Sequence, residues 1–403
     1  YKRQIFNFLK KYVIIKQNNK IRNDVMKFMH LSDLHLGKRV NGYSMLEDQK
    51  YILIKIINII DEQKPQAVII AGDVYDKPVP SAEAVQLFDD FLYKLTERSL
   101  QVIVISGNHD SPERIAFGSR FMGKSGIHMS QVYNGSTDFV SLTDDYGKIN
   151  FYLLPFIKPS NVRRFFEDEE INTYTEAIRV AISNMNIDKN ARNVIVTHQF
   201  VTGAERSDSE IIAVGGTDNV DSYVFDDFDY VALGHIHRPQ NVGKSTVRYC
   251  GTPLKYSFSE INHEKSVTIV EIKEKEDIDV TTIPLIPLHD MREIKGSYDE
   301  LVNRENYEGT ATEDYLHIIL TDEDDVPYAV ERLRNIYHNL MKLDYDNTRT
   351  RSSYDITQAQ GTERKSEIEL VSEFFEKQNG KQMTEQQLEY ASDLIEQIKE
   401  ESL

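Results

Sequence analysis

The 403-residue chain is short of three things. It has a single cysteine, Cys250. One thiol excludes an intramolecular disulfide and any cysteine-rich zinc site. It is poor in basic residues: 47 Lys and Arg stand against 65 Asp and Glu, a formal charge of −18. That balance argues against a protein that coats nucleic acid, because phosphate contacts need clustered cations. It leaves room for a nucleic-acid enzyme whose positive charge is local or carried by metal. Long apolar runs are also missing. The run Tyr51–Ile60 is broken by charged and amide residues. It falls short of the roughly 20 residues that span a bilayer, so no membrane span is expected.

At roughly 100–200 residues per domain, the length predicts two or three domains. The basic residues are unevenly placed. Seven fall in residues 1–25 against one acid, Asp24, and without that stretch the charge would be −24. The stretch lacks the small-residue cleavage site of a signal peptide. It reads as translated sequence upstream of the true start, with a basic nucleic-acid-binding arm as the alternative.

From Met26 to about Leu285, short apolar runs alternate with helical spacing. Lys27–Leu31, Ala67–Ala71, Val102–Ser106, Ile149–Leu154, Asn193–Thr197, Asp229–Leu233 and Ser266–Ile272 are strand candidates. Tyr43–Gln63 and Ser81–Arg98 are helix candidates. Ser81 is placed to cap the second, and Val85, Phe88, Leu92 and Leu95 form its core-facing stripe. Such alternation predicts an α/β fold with helices covering sheet layers.

The pattern changes near Pro284 and Pro287. Residues 286–351 read as a small α+β unit, with a strand at Tyr315–Leu320 and a helix at Ala329–Leu340. A polar linker follows at 352–365. Two amphipathic helices then fill 366–403. Ser366 with Glu369, and Thr384 with Gln387, have capping-box spacing.

The chemistry-bearing residues sit where predicted strands stop. His30-Leu31-Ser32-Asp33-Leu34-His35, Gly72-Asp73, Gly107-Asn108-His109-Asp110, Thr197-His198 and Gly234-His235-Ile236-His237 each follow an apolar run. In α/β sheets, sites gather at the carboxyl ends of strands, so one face could collect all five segments. Asp33 and His35, like His235 and His237, are two apart, which puts both side chains on one side of extended chain. The candidate metal ligands are Asp33, His35, Asp73, Asn108, His198, His235 and His237. Mixed nitrogen and oxygen donors suit Mn, Fe or Zn better than Mg or Ca. Seven ligands exceed one tetrahedral ion, whereas two ions roughly 3.5–4 Å apart would use them all. Five of the eleven histidines fall immediately after strand candidates, and the other six read as structural.

This ordered set resembles the calcineurin-like metallophosphoesterase superfamily. Within it, Ser32–Gly37, Ala71–Asp76, Ala232–Arg238 and Tyr249-Cys250-Gly251-Thr252-Pro253 resemble the bacterial SbcD branch of the Mre-type nucleases. The resemblance implies a β-sandwich flanked by helices over residues 26–285, with 286–351 as a capping domain. It assigns Asp33, His35, Asp73 and His237 to one Mn ion. Asp73, Asn108, His198 and His235 would hold the other. His109 would serve the leaving oxygen, with Asp110 orienting it. Some relatives carry a further histidine where this chain has Asp76, so that role is not transferred.

The implied activity is metal-dependent hydrolysis of DNA: a 3′→5′ exonuclease on duplex ends and an endonuclease on hairpins or single strands. The implied partner is SbcC, an SMC-like ATPase, bound through 366–403 in a dimeric, cytoplasmic assembly. A phosphomonoesterase or cyclic-nucleotide phosphodiesterase on the same scaffold is the alternative, because fold and metals do not fix substrate. Lys38, Arg39, Arg114 and Arg238 flank the motifs and are candidate DNA contacts.

Overall fold

The computed structural model describes residues 25–208, 210, 218–348 and 350, with scattered positions from 368 to 394. All seven expected strands form, with ends shifted by a residue or two. They are distributed over two six-stranded sheets. The first sheet has the order Ile278–Pro284, Ser266–Ile272, Met26–Leu31, Ala67–Ala71, Gln101–Ile105, Ile127–Met129. The last four run parallel, and Ser266–Ile272 joins them antiparallel. The second sheet has the order Gln240–Val242, Lys244–Tyr249, Tyr230–Gly234, Arg192–His198, Gly147–Leu154, Phe139–Asp144. Its four middle strands are parallel.

Period-two alternation explains how the layers pack. Met26, Phe28, Ala67, Ile69, Ile103 and Ile105 of the first sheet meet Phe151, Val194, Val196, Tyr230 and Ala232 of the second in one buried cluster. Phe28 lies edge-on to Phe151 at 5.4 Å and to Tyr230 at 5.6 Å. The intervening residues, Met29, Leu31, Val68 and Ile70, face outward onto the helices. Strands buried on both faces need apolar residues throughout, which is why they are legible as continuous runs.

A buried arginine ties the two layers. Arg192 and Asp144 form an ion pair, and both side chains are almost wholly shielded from solvent. Its guanidinium also donates to the carbonyls of Gly147, Ile272 and Lys273, the last two at the end of a strand in the opposite sheet. Arg192→Ala would leave the buried Asp144 carboxylate without its cation, although the Tyr146 amide still donates to it. Removing one partner of such a pair costs about 3–5 kcal/mol. The expected result is a fall in the urea midpoint with an unchanged slope.

The two helix expectations of the first hundred residues need correction. The first helix runs Leu46–Gln63, not from Tyr43. Arg39–Val40 and Tyr43–Ser44 instead pair as a hairpin across Asn41 and Gly42, both at positive φ. Asn-Gly favours that two-residue turn. The second helix is Ala82–Glu97, with Ser81 accepting from the Ala84 amide as expected. Its buried face is Ala84, Phe88, Phe91, Leu92 and Leu95, whereas Val85 is exposed. At 100° per residue, Val85 is one step off the stripe that Ala84 and Phe88 define.

The chain divides into two compact units. The first holds both sheets and comprises residues up to Ile294 with Tyr307–Ile318 and Val330–Leu343. The second comprises Lys295–Asn306, Ile319–Ala329 and the described residues from Asp344 onward. The strand expected at Tyr315–Leu320 forms and is the middle of a three-stranded sheet. The helix expected at Ala329–Leu340 is shorter, Ala329–Arg334. Turns closed on the Leu333 and Tyr337 carbonyls follow it, and Leu340 begins a strand. In the second unit, Ser297 and Glu300 form a capping box at Tyr298–Val302. Thr384 and Gln387 make both bonds expected of them. Residues 1–24, the linker 352–365 and most of the pair 366–403 lie outside the described residues.

Candidate metal centre

The parallel strands of both sheets end at one edge, and the five loops meet there. Close approach needs residues without side chains at the junction. A Cβ on Gly234 would collide with the Ala71 carbonyl of the other sheet, and one on Gly72 would lie 2.5 Å from His198 Nδ1. Sharp turns supply the rest: Asp33, His35, Asp73 and His235 all have positive φ, at 53°, 44°, 49° and 100°. Non-glycine residues take that conformation at a cost, and such strain concentrates at functional sites. Backbone bonds lock the turns, with Asp33 N on Gly72 O and His35 N on Asp73 O, each at 3.0 Å.

The structure brings six of the seven predicted ligand residues into deep burial: Asp33, His35, Asp73, His198, His235 and His237. Asn108 is less shielded but joins them through its carbonyl oxygen, which lies 3.0 Å from both His198 Nε2 and His235 Nδ1. His35 Nε2 and His237 Nε2 face each other at 3.2 Å. Asp73 Oδ2 is 3.3 Å from His198 Nε2 and 3.7 Å from His35 Nε2, so one oxygen looks at both clusters. The ligand atoms of Asp33, His35 and His237 lie within 4.8 Å of one another, as do those of Asp33, Asp73 and His198.

The donor set fits divalent cations on an observation independent of spacing. The outer nitrogens of two imidazoles are already committed. His198 Nδ1 lies 2.8 Å from the Ala71 carbonyl, and His237 Nδ1 lies 3.3 Å from Glu260 Oε1. Both partners can only accept if the Glu260 carboxyl is ionised, so Nδ1 carries the hydrogen and each Nε2 presents a lone pair inward. Burial works against charge on Glu260. The His237 contact and Lys265 nevertheless hold its carboxyl well below the usual range.

Without ions, the same crowding distorts the titration of the ligands. Burial pushes the Asp33 carboxyl up to about 6, with the Asp73 charge adding to the shift. Burial drives His35 and His235 well below the ordinary imidazole value. His198 goes the other way. Burial opposes its charge, but Asp73, bonded to it, and Asp33 outweigh burial and push it up to about 9. A raised imidazole stabilises the fold fully below its unfolded value of 6.5, and that contribution disappears as pH rises through 9. In chelator-treated protein, the His198 contribution should therefore make the melting temperature fall across that window. The His198→Gln variant should lose that slope.

The two predicted catalytic residues are placed differently from each other. His109 is half-buried, its backbone amide on Asp73 Oδ1 at 2.8 Å and its Nδ1 3.0 Å from the Asp76 carbonyl. Asp110 was expected to orient that ring. Its carboxylate accepts instead from the backbone amides of Gly107, Val74 and Tyr75 at 2.9, 3.1 and 2.9 Å. It clamps two ligand loops together, and the Asp76 carbonyl is what meets the ring. His35, Asp76 and His109 also form a compact trio. Lys38 Nζ, 2.8 Å from Asp76 Oδ1, already supplies a cation there.

Of the other candidate DNA contacts, Arg39 bonds the Gly42 carbonyl and Arg238 pairs with Glu205. Arg114 lies on the short helix Pro112–Ile115, just after the His109 loop. The histidine His30, read as structural, is buried with Nδ1 3.1 Å from Tyr230 Oη. Burial pushes it down to about 3, which keeps it neutral. Sequence reasoning missed Glu260, Lys265 and Glu210, which surround His237 from outside the ligand motifs. Glu210 Oε1 accepts from the His237 amide at 2.7 Å.

Similarity to known proteins agrees with this geometry. The family model of calcineurin-like phosphoesterases matches residues 26–239. A second model, described as the type 5 capsule protein repressor C-terminal domain, matches residues 287–379. A Staphylococcus epidermidis protein, named as the D component of the nuclease SbcCD, is 34% identical over 322 residues, 79% of this chain and 85% of the relative. Its Staphylococcus saprophyticus namesake is 37% identical over 322 residues, 79% of this chain and 84% of its own. With that coverage on both sides, the chain belongs to the calcineurin-like phosphoesterases and, among them, to the family of the D components of SbcCD nucleases.

Proposed function

We propose that this chain is the nuclease subunit of an SbcCD-type complex, hydrolysing DNA phosphodiesters as a 3′→5′ exonuclease on duplex ends and an endonuclease on hairpins or single strands. The observation that carries the reading is the convergence of seven ligand side chains on one buried point with His109 beside them. Asp33, His35, Asp73 and His237 would hold one divalent ion, and Asp73, Asn108, His198 and His235 the other. Mn, the metal that the family resemblance implies, is among those that mixed nitrogen and oxygen donors suit. When bound, such ions supply an activated water and neutralise the phosphodiester.

The protein's own residues do the rest. His198 and His237 are held in the ligating tautomer by Ala71 and Glu260. Asp110 holds the loops in register. His109 keeps its Nδ1 hydrogen on the Asp76 carbonyl, so the proton given to the leaving oxygen travels on Nε2. Lys38 stands next to this ring through Asp76 and is the flanking cation best placed to meet a phosphate.

The proposed assembly is a homodimer bound to two copies of the SMC-like ATPase SbcC, in the bacterial cytoplasm. Phe117 and Phe121, each 81% exposed just after the His109 loop, are apolar surface that a second copy could cover. Segment 366–403 would bind SbcC, and its described positions Val371, Leu388, Tyr390 and Leu394 are exposed.

One assay separates the readings. Labelled hairpin DNA is incubated with Mn, with and without SbcC and ATP, beside a small phosphoester. Hairpin cleavage abolished by chelator is the expected result. Turnover of the small phosphoester alone would establish the alternative.

A further inference from the structure

Beyond the last ligand motif, two ionisable side chains are buried and spent on a single ligand. Glu260 is fully buried at the end of a short 3₁₀ turn, Phe258–Glu260. Its Oε1 lies 3.3 Å from His237 Nδ1, and its Oε2 lies 2.5 Å from Lys265 Nζ. Lys265 is buried as well. It donates to the His237 carbonyl at 2.8 Å and to Thr252 Oγ1 at 2.7 Å. The lysine thus touches the same histidine through its backbone and through the glutamate. Charges are removed from water at a large cost unless each is fully paired. Two such groups converging on one histidine, one at its ring and one at its backbone carbonyl, exceed what packing requires.

We infer that Glu260 and Lys265 form a polarity lock that sets the tautomer of His237, making both positioning residues for one of the two ions. The lock rests on the metal-centre reading given above. An ammonium can only donate, so the oxygen facing Lys265 must accept. With a carboxylate both oxygens accept, and His237 Nδ1 must carry the hydrogen. Nε2 then presents its lone pair to a cation.

The lock makes an amide substitution behave in a distinctive way. In Glu260→Gln, Lys265 claims the one carbonyl oxygen. The amide NH₂ then turns to His237 Nδ1, which must accept. The ring hydrogen moves to Nε2, where it blocks ligation. Replacing the lysine as well removes the demand. In Glu260→Gln/Lys265→Met the amide can turn its oxygen to Nδ1, and the ligating tautomer returns. A change of shape or volume alone predicts no rescue, because the second substitution adds a further perturbation.

Two readouts test this. Nitrogen NMR of metal-free protein in alkaline buffer reports which ring nitrogen of His237 is protonated. Equilibrium dialysis against Mn reports stoichiometry and affinity. Wild type should show Nδ1 protonated and bind two ions. Glu260→Gln should show Nε2 protonated and lose about 10–100-fold in affinity for one ion only. The double variant should regain both. Thermal melts of each protein accompany the binding data. If Glu260→Gln does not fold, the double variant alone decides, since it must bind two ions with Nδ1 protonated. Wild-type tautomer and affinity in Glu260→Gln would overturn the lock, and so would a folded double variant that binds one ion. If wild type itself bound no Mn, the metal-centre reading would fail instead.

Discussion

His109→Ala is expected to keep both ions and lose about 10²–10⁴-fold in turnover, the usual contribution of a positioned proton donor. The expectation follows from where the ring is fastened. Its backbone amide bonds Asp73 Oδ1 at 2.8 Å, a bond that any residue at this position except proline would make. The Asp73 carboxylate is therefore held by main chain, and the His109 side chain can be removed without loosening it. Nδ1 is occupied by the Asp76 carbonyl at 3.0 Å. A carbonyl can only accept, so Nδ1 stays protonated whether the ring is neutral or charged. The nitrogen that exchanges protons is Nε2. Elemental analysis should show unchanged Mn content, and hairpin DNA should be cut slowly. Cleavage at the wild-type rate would remove His109 from the reaction.

The contrast with Asp110 marks where sequence reading stops. Both residues belong to one motif, and the motif cannot say which way a carboxylate turns. Asp110 turns toward Gly107, Val74 and Tyr75, a choice made by three buried amides that would otherwise lack partners. The candidate ligands were legible because each one ends or follows a strand buried on both faces, and such strands read as unbroken apolar runs. Edge strands were not legible. Phe139–Asp144 alternates exposed and half-buried positions, and Ile278–Pro284 is largely exposed. With Ser, Thr and Asp on their open faces, neither reads as an apolar run. Glu260 and Lys265 were invisible for a different reason. They lie on a three-residue turn and at the edge of a strand, with no periodicity, and only the folded chain brings them to His237.

Asp73→Asn should have the largest effect on the site while sparing the fold. The side chain is nearly isosteric, buried, and fixed on both sides. Asp73 Oδ1 accepts from the His109 amide, and Gly107 packs so tightly against it that a Cβ there would overlap it. Asn must therefore keep its carbonyl oxygen in the Oδ1 position, or leave the His109 amide facing another donor. The NH₂ then replaces Oδ2, the atom 3.3 Å from His198 Nε2 and 3.7 Å from His35 Nε2. A donor with no lone pair would occupy the position that both ions need. The negative charge that burial opposes, and that His198 and His35 hold well below the usual carboxylate range, would also be gone. Both ions should be lost, in contrast to Glu260→Gln, which should only weaken the hold on one ion by about 10–100-fold. Turnover should fall to background. Two divalent ions add about +4 at the point where phosphate must sit. The chain as a whole carries a formal charge of −18. Loss of the ions should therefore abolish DNA binding by the isolated chain as well as cleavage. Elemental analysis with a DNA-binding titration at physiological salt reads both effects. Two ions retained at full occupancy would contradict the bridging role of Asp73.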